Sequence, residues 1–235
     1  MMAKVIGILG GMGPEATCDL FQKIIRVTPL VKGPIRRDQD HLRVIVDSNP
    51  AIPDRTAAIL GGGEDPVPLL QETARNLERA GAGLLVMPCN TAHYFWLRIQ
   101  EAVTIPLLHM MDEVGKELAA AHRGVRRIGL LATSGTVNTG LYHRTLAGHG
   151  LEVMVPGADT QARVMAAIAA VKKGELEPAR APLVEAAAEL AGAGAEAIVA
   201  GCTEIPLVLQ QPAVGVPLLD ATWVLAKAAV TAACR

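Results

Sequence analysis

Of the four cysteines in this 235-residue chain, at positions 18, 89, 202 and 234, two sit in matching local sequence. Gly81-Ala82-Gly83-Leu84-Leu85-Val86-Met87-Pro88-Cys89 is answered by Gly194-Ala195-Glu196-Ala197-Ile198-Val199-Ala200-Gly201-Cys202, at a constant offset of 113 residues (81 to 194, 89 to 202). Each copy reads as the end of a helix, a tight glycine turn, an apolar strand and then a thiol. Glycine turns and apolar strands are common to any two strand–helix units, but a Cys in the same slot of both is a stronger signal. Cys18 and Cys234 have no such context and read as small hydrophobes. With no CxxC pair and wide spacing, neither a zinc site nor a secreted disulfide framework is expected.

Two thiols presented to one substrate suit proton transfer at a stereocentre next to a carboxylate. Inversion there needs a base on one face and an acid on the other. One thiolate would take the Cα proton while the opposite thiol donates one, and the roles reverse for the other enantiomer. A free Cys has a pKa of about 8.5, so a populated thiolate needs help. A strand-to-helix junction is expected to supply it, through unpaired helix N–H groups.

The flanking residues fit an acidic ligand. Asn90, Thr91 and His93 follow Cys89, and Thr203 and Glu204 follow Cys202. Asn and Thr can cap a helix or bond a carboxylate. His93 and Glu204 are candidates for assisting the two thiols, each equally readable as a helix-surface residue. In Gly10-Gly11-Met12-Gly13-Pro14-Glu15-Ala16, the spacing Gly11-x-Gly13-x-x-Ala16 satisfies a permissive dinucleotide fingerprint. No ribose-binding acid follows at the end of a second strand, and an anion-binding glycine turn explains the same residues without a cofactor. Asp47-Ser48-Asn49-Pro50-Ala51-Ile52-Pro53-Asp54-Arg55-Thr56 reads as a loop, in which Arg55 could pair bidentately with a carboxylate. Lys172 and Lys173, just before Gly174, look like the basic end of a helix.

The elements that must position these residues alternate. Apolar runs at residues 5–9, 42–47, 83–87, 127–131, 152–155, 196–200 and 216–219 read as strands, separated by amphipathic helices such as 67–80 and 177–191. This alternation predicts right-handed βαβ crossovers and an α/β fold with a largely parallel sheet. More loosely than the cysteine repeat, residues 5–9 are echoed by 128–131 if a one-residue slip is allowed. Two similar lobes would set each cysteine just past the carboxyl end of a strand, where open α/β sheets bind ligands.

Composition agrees with this and excludes other classes. The chain is 51% hydrophobic and 19% charged, with only 3% aromatic residues, so its core must be aliphatic. A net charge of -1 gives no basic surface for nucleic acid and no membrane anchor. No stretch reaches the roughly 18 apolar residues that a bilayer span needs. The N-terminal apolar run is broken at once by glycines, Pro14 and Glu15, so it reads as a strand rather than a signal peptide, and a cytoplasmic protein is expected.

The strings Gly10-Gly11-Met12-Gly13-Pro14, Ser48-Asn49-Pro50 through Thr56, Pro88-Cys89-Asn90-Thr91-Ala92-His93 and Gly201-Cys202-Thr203-Glu204 together resemble the aspartate/glutamate racemase family, and most closely its aspartate racemase branch. The resemblance covers the whole chain in order. It implies two pseudo-symmetric, doubly wound α/β lobes with the active site in the cleft between them, the first spanning 1–112 plus 216–235 and the second 113–215. It implies no pyridoxal phosphate, no metal, an acidic amino acid as substrate and, in many members, a homodimer. By motif, Cys89 and Cys202 would be the acid/base thiols. Asn90, Thr91 and Thr203 would hold the α-carboxylate with the Met12 turn and Thr133, and Arg55 and Lys172 would meet the side-chain carboxylate. Glutamate racemases typically carry His where this chain has Glu204, which favours aspartate.

Two other classes compete. A cysteine-dependent isomerase or decarboxylase of dicarboxylic acids would share the cleft, yet such decarboxylases need only one cysteine. A non-catalytic sensor of an acidic metabolite would need Arg55 and the glycine turn but not the thiol pair.

Overall fold

The structure, a computed structural model that describes residues 3–235, is built from two α/β units. One comprises the residues up to Glu113 together with Thr222–Arg235, the other Val114–Ala221. The first contains β1 (Ile6–Gly10), α1 (Pro14–Lys32), β2 (Val44–Ser48), α2 (Arg55–Ile59), α3 (Val67–Arg79), β3 (Leu84–Val86) and α4 (Trp96–Gln100). Helix α5 (Met110–Ala121) carries the chain into the second unit. There follow β4 (Arg127–Leu131), α6 (Ser134–Asn138), α7 (Leu141–Ala147), β5 (Glu152–Met154), α8 (Ala158–Lys172), α9 (Leu176–Gly192), β6 (Ala197–Ala200) and β7 (Leu218–Asp220). Helix α10 (Ala221–Ala233) returns to the first unit.

Both sheets are parallel, in the orders β2-β1-β3 and β5-β4-β6-β7. The first also has a fourth position, because Leu85 of β3 pairs in parallel with Leu107. Strands β1, β3 and β6 are buried along their whole length, as parallel strands covered on both faces must be. At the edge, β2 is half-exposed. The fold class is the one the strand–helix alternation predicts.

The internal repeat extends to individual hydrogen bonds. In the first unit Leu85 N–H donates to Pro106 O at 2.8 Å; in the second Ile198 N–H donates to Pro217 O at 2.8 Å. Gln100 Nε2 donates to Val103 O and Ile105 O while its Oε1 accepts from Leu107 N–H at 2.7 Å. Gln211 does the same for Val214 O, Val216 O and Leu218 N–H, the last also at 2.7 Å. Gly7 and Gly129 lie under the same crowding. A Cβ on Gly7 would come 2.6 Å from Leu85 Cδ2 and 2.9 Å from Ala82 Cβ. One on Gly129 would come 2.6 Å from Ile198 Cδ1 and 2.9 Å from Leu190 Cβ.

One boundary differs from the expectation. The strand near 216–219 is β7, and it belongs to the second unit's sheet beside β6 rather than to the first lobe. The chain returns only at Thr222. The reason is the parallel ladder with β6, extended by the Ile198 N–H bond to Pro217 O, which binds this segment to the second unit. From α10, Leu225, Ala226, Ala229 and Val230 are fully buried. Lys4 N–H donates to Ala233 O at 2.8 Å, and the buried Lys23 Nζ donates to Thr222 Oγ1 at 2.8 Å.

Candidate active site

Cys89 and Cys202 leave equivalent strands, β3 and β6, at their carboxyl ends, and both are buried free thiols. Neither is followed by a long helix. After Cys89 comes a 3-10 turn (Thr91–Phe95) and then the short α4; after Cys202 comes only the 3-10 turn Ile205–Leu207. The expected stabilisation of both thiolates by a helix terminus is therefore not what the local geometry provides.

Around Cys202 the electrostatics run the other way. Its Sγ–H donates to Glu204 Oε2 at 2.9 Å, and the Thr203 hydroxyl donates to the same oxygen at 3.1 Å. Burial, then the Glu204 charge and its hydrogen bond, push the Cys202 thiol well above its ordinary pKa; the Glu204 backbone N–H and Lys172 only partly offset this. Lys172, the last residue of α8, brings Nζ to 4.0 Å from Glu204 Oε1. Of the two lysines that the sequence leaves equivalent, Lys172 is the one that comes within ion-pair reach of Glu204. Behind the thiol, Tyr142 of α7 is fully buried, and burial followed by the charges of Cys202 and Asp220 keeps its phenol neutral. Nothing in the sequence around Tyr142 marks it as a neighbour of Cys202.

Around Cys89 the neighbours are Asn90, Thr91 and His93, all buried. A ring nitrogen of His93, Nδ1, lies 2.9 Å from Cys89 O. Burial, then the nearby His109, lowers the His93 pKa to about 3, with the Cys89 and Leu108 carbonyls opposing. His93 is thus a neutral imidazole, donating from Nδ1 to the Cys89 carbonyl. It packs edge-on against His109, with ring centroids 5.3 Å apart. The contact to the Cys89 carbonyl fixes the backbone at the thiol. His109, which completes the packing, carries no motif that would have singled it out.

The glycine turn after β1 is closed by its own residues. Gly11 N–H donates to Thr17 Oγ1 at 2.8 Å, and the Thr17 hydroxyl donates to Gly13 O at 3.0 Å. Gly11 has φ +93, and a Cβ there would lie 2.3 Å from the Asn49 backbone. Glycine at this position therefore answers a close chain crossing, and Met12 is left buried in the turn. Thr133, expected from the resemblance to meet the α-carboxylate, caps α6, its Oγ1 accepting from Thr136 N–H at 3.2 Å.

Arg55 opens α2 behind the Asp54 cap, whose carboxylate accepts from Ala57 N–H at 2.7 Å. Its Nη1 donates to Ile52 O at 3.0 Å and Pro53 O at 2.8 Å. Its Nε is buried and has no hydrogen-bond partner among the described residues. Gln161 of α8 shows a similar pattern: Nε2 donates to Ala132 O and Ser134 Oγ, while Oε1 is buried and unpartnered. No group of three or more His, Cys, Asp or Glu among the described residues could hold a metal ion. No helix among them is long and apolar enough to cross a membrane.

Fold and geometry together define an enzyme of two α/β units, each carrying a buried thiol beyond the same strand. The chain belongs to the Asp/Glu/hydantoin racemase family, whose pattern it matches over residues 9–229, and is an isomerase. Among its relatives is the broad specificity amino-acid racemase RacX of Bacillus subtilis, 29% identical over 97% of both chains. Of solved structures, the aspartate racemase of Picrophilus torridus superposes with a TM-score of 0.87 at 29% identity, over 98% of this chain and 94% of that one. An aspartate racemase homologue from Pyrococcus horikoshii gives 0.80 at 28%, covering both chains fully.

Proposed function

We propose that this protein interconverts L- and D-aspartate without a cofactor, by proton transfer at Cα between Cys89 and Cys202. The observation that carries the reading is positional: two free, buried thiols follow equivalent strands of two units that share the same hydrogen-bond wiring. The reaction requires the units to present these thiols to opposite faces of one Cα. One thiolate then takes the Cα proton as the other thiol donates its own, and the carbanion never needs a second substrate conformation.

In this reading Asn90, Thr91, Thr133 and the Met12 turn surround the α-carboxylate. Thr203 joins them only when its hydroxyl leaves Glu204. Arg55 and Lys172 meet the side-chain carboxylate. The buried, unpartnered Nε of Arg55 supports its part, because two backbone carbonyls hold Nη1 and leave another guanidinium edge for a fork-like pair. The same reading includes a cytoplasmic homodimer, for which sedimentation is the check; exposed Phe21, Ile25 and Leu30 on α1 offer an apolar surface.

The test is chiral chromatography of L-aspartate incubated with reduced protein and no added cofactor. Racemic product is expected, and Cys89→Ala or Cys202→Ala should each abolish its formation. Normal racemisation by either variant would rule out the two-thiol mechanism. The likeness to a broad specificity racemase favours one further reading, a wider amino-acid range. Comparable rates on glutamate or neutral amino acids would establish it.

A further inference from the structure

A racemase that passes a proton between two thiols ends each turnover in the wrong protonation state for the next. Once Cys202 has donated its proton and Cys89 has gained one, another molecule of the same enantiomer must wait. Both thiols have first to exchange protons with solvent, and Cys202 is only 6% exposed. A path exists on its side. The thiol meets Glu204 Oε2 at 2.9 Å, and the other oxygen of that carboxylate lies 4.0 Å from Lys172 Nζ. The Lys172 side chain is 45% exposed against 7% for Glu204, so the chain of groups runs from buried to wet. A separation of 4.0 Å is within ion-pair reach but longer than a direct hydrogen bond. Near Cys89, the neutral His93 is tied to the backbone carbonyl and forms no such series.

Resting on the function proposed above, we propose that Glu204 is the proton relay that resets Cys202 between turnovers. The Glu204 carboxylate takes a proton from hydronium or a buffer acid at its Lys172 end. After turning about Cγ–Cδ, it gives that proton to the Cys202 thiolate. The O–H bond breaks as the S–H bond forms, Glu204 ends as the carboxylate it began as, and Cys89 releases its surplus proton to water. The direction follows from the surroundings. Burial and the Glu204 charge both disfavour a Cys202 thiolate, Tyr142 on α7 stays neutral, and among the described residues Lys172 on α8 is the cation that acts on the thiol. Asp220 on β7 acts on Tyr142 and adds negative charge.

The experiment compares steady-state racemisation by wild type, Glu204→Gln and Glu204→Asp. Slowing the reset step limits turnover only at saturation. For Glu204→Gln the proposal therefore expects kcat to fall on the order of tenfold or more. KM should fall with it, leaving kcat/KM within about threefold of wild type. Glu204→Asp, which keeps a carboxyl group, should recover part of kcat. A residue that only held Cys202 in place would lower kcat/KM as much as kcat, and that result would overturn the relay. So would unchanged kcat in Glu204→Gln, or no recovery in a folded Glu204→Asp. Absence of racemisation by the wild type would overturn the function itself and the relay with it, so the two failures are distinguishable.

Discussion

His93 shows what a single buried side chain costs. It is neutral because burial and the facing His109 hold its pKa near 3, whereas in the unfolded chain it titrates near its ordinary 6.5. Below pH 6.5 the unfolded state therefore binds a proton that the folded state refuses. Stability is fully present above that pH and is lost as pH falls toward about 3, to an extent on the order of 5 kcal/mol. Denaturant titrations of wild type and His93→Gln across this range should show a shallower pH slope for the variant. Equal slopes would mean that His93 is protonated in the folded state. The Asn90, Thr91 and Thr203 hydrogen-bonding groups share the same burial, which strengthens any contact they make with a charged substrate.

At the level of elements, the strand–helix packing has no room for a methyl group at two equivalent places. Gly7→Ala and Gly129→Ala would each push a Cβ to 2.6 Å from a side-chain methyl of the neighbouring strand. Each should cost about 1–3 kcal/mol by overpacking, read as a lower urea midpoint at unchanged slope. Gly192→Ala, at the end of α9 with nothing near its Cβ, should be neutral or slightly stabilising. If all three behaved alike, the crowding would not be what selects glycine in β1 and β4. The period of apolar runs was legible in the sequence because both faces of these strands are covered. Strand ends were less so: β3 and β5 have only three residues each, and a ladder bond more or less moves such a boundary.

For the whole molecule, the discontinuous first unit is the main thermodynamic fact. Its C-terminal helix fills the core with Leu225, Ala226, Ala229 and Val230 and satisfies the buried Lys23 through Thr222. A chain ending at Ala221 should lose cooperative unfolding of that unit, measured by calorimetry, because removing the helix bares apolar surface and leaves a buried ammonium without one of its acceptors. Retention of the full unfolding enthalpy would show that α10 is dispensable.

What could be read from residue order alone was whatever depends on short-range pattern. The repeat ending in Cys89 and Cys202, the parallel α/β class and the motif set of the family all lie within stretches of about ten residues. Side-chain partners were decided elsewhere. Lys172 rather than Lys173 meets Glu204 because successive helix positions point about 100° apart, and only one of them faces the turn after β6. Glu204 accepts from the Cys202 thiol because the chain turns tightly after β6 instead of entering a long helix. Strand β7 joined the second sheet through its ladder with β6, about 20 residues earlier in the chain, a contact formed only after the chain has folded back on itself. Such contacts depend on side-chain length and on the angle at which each element leaves the sheet, which no spacing in the sequence encodes.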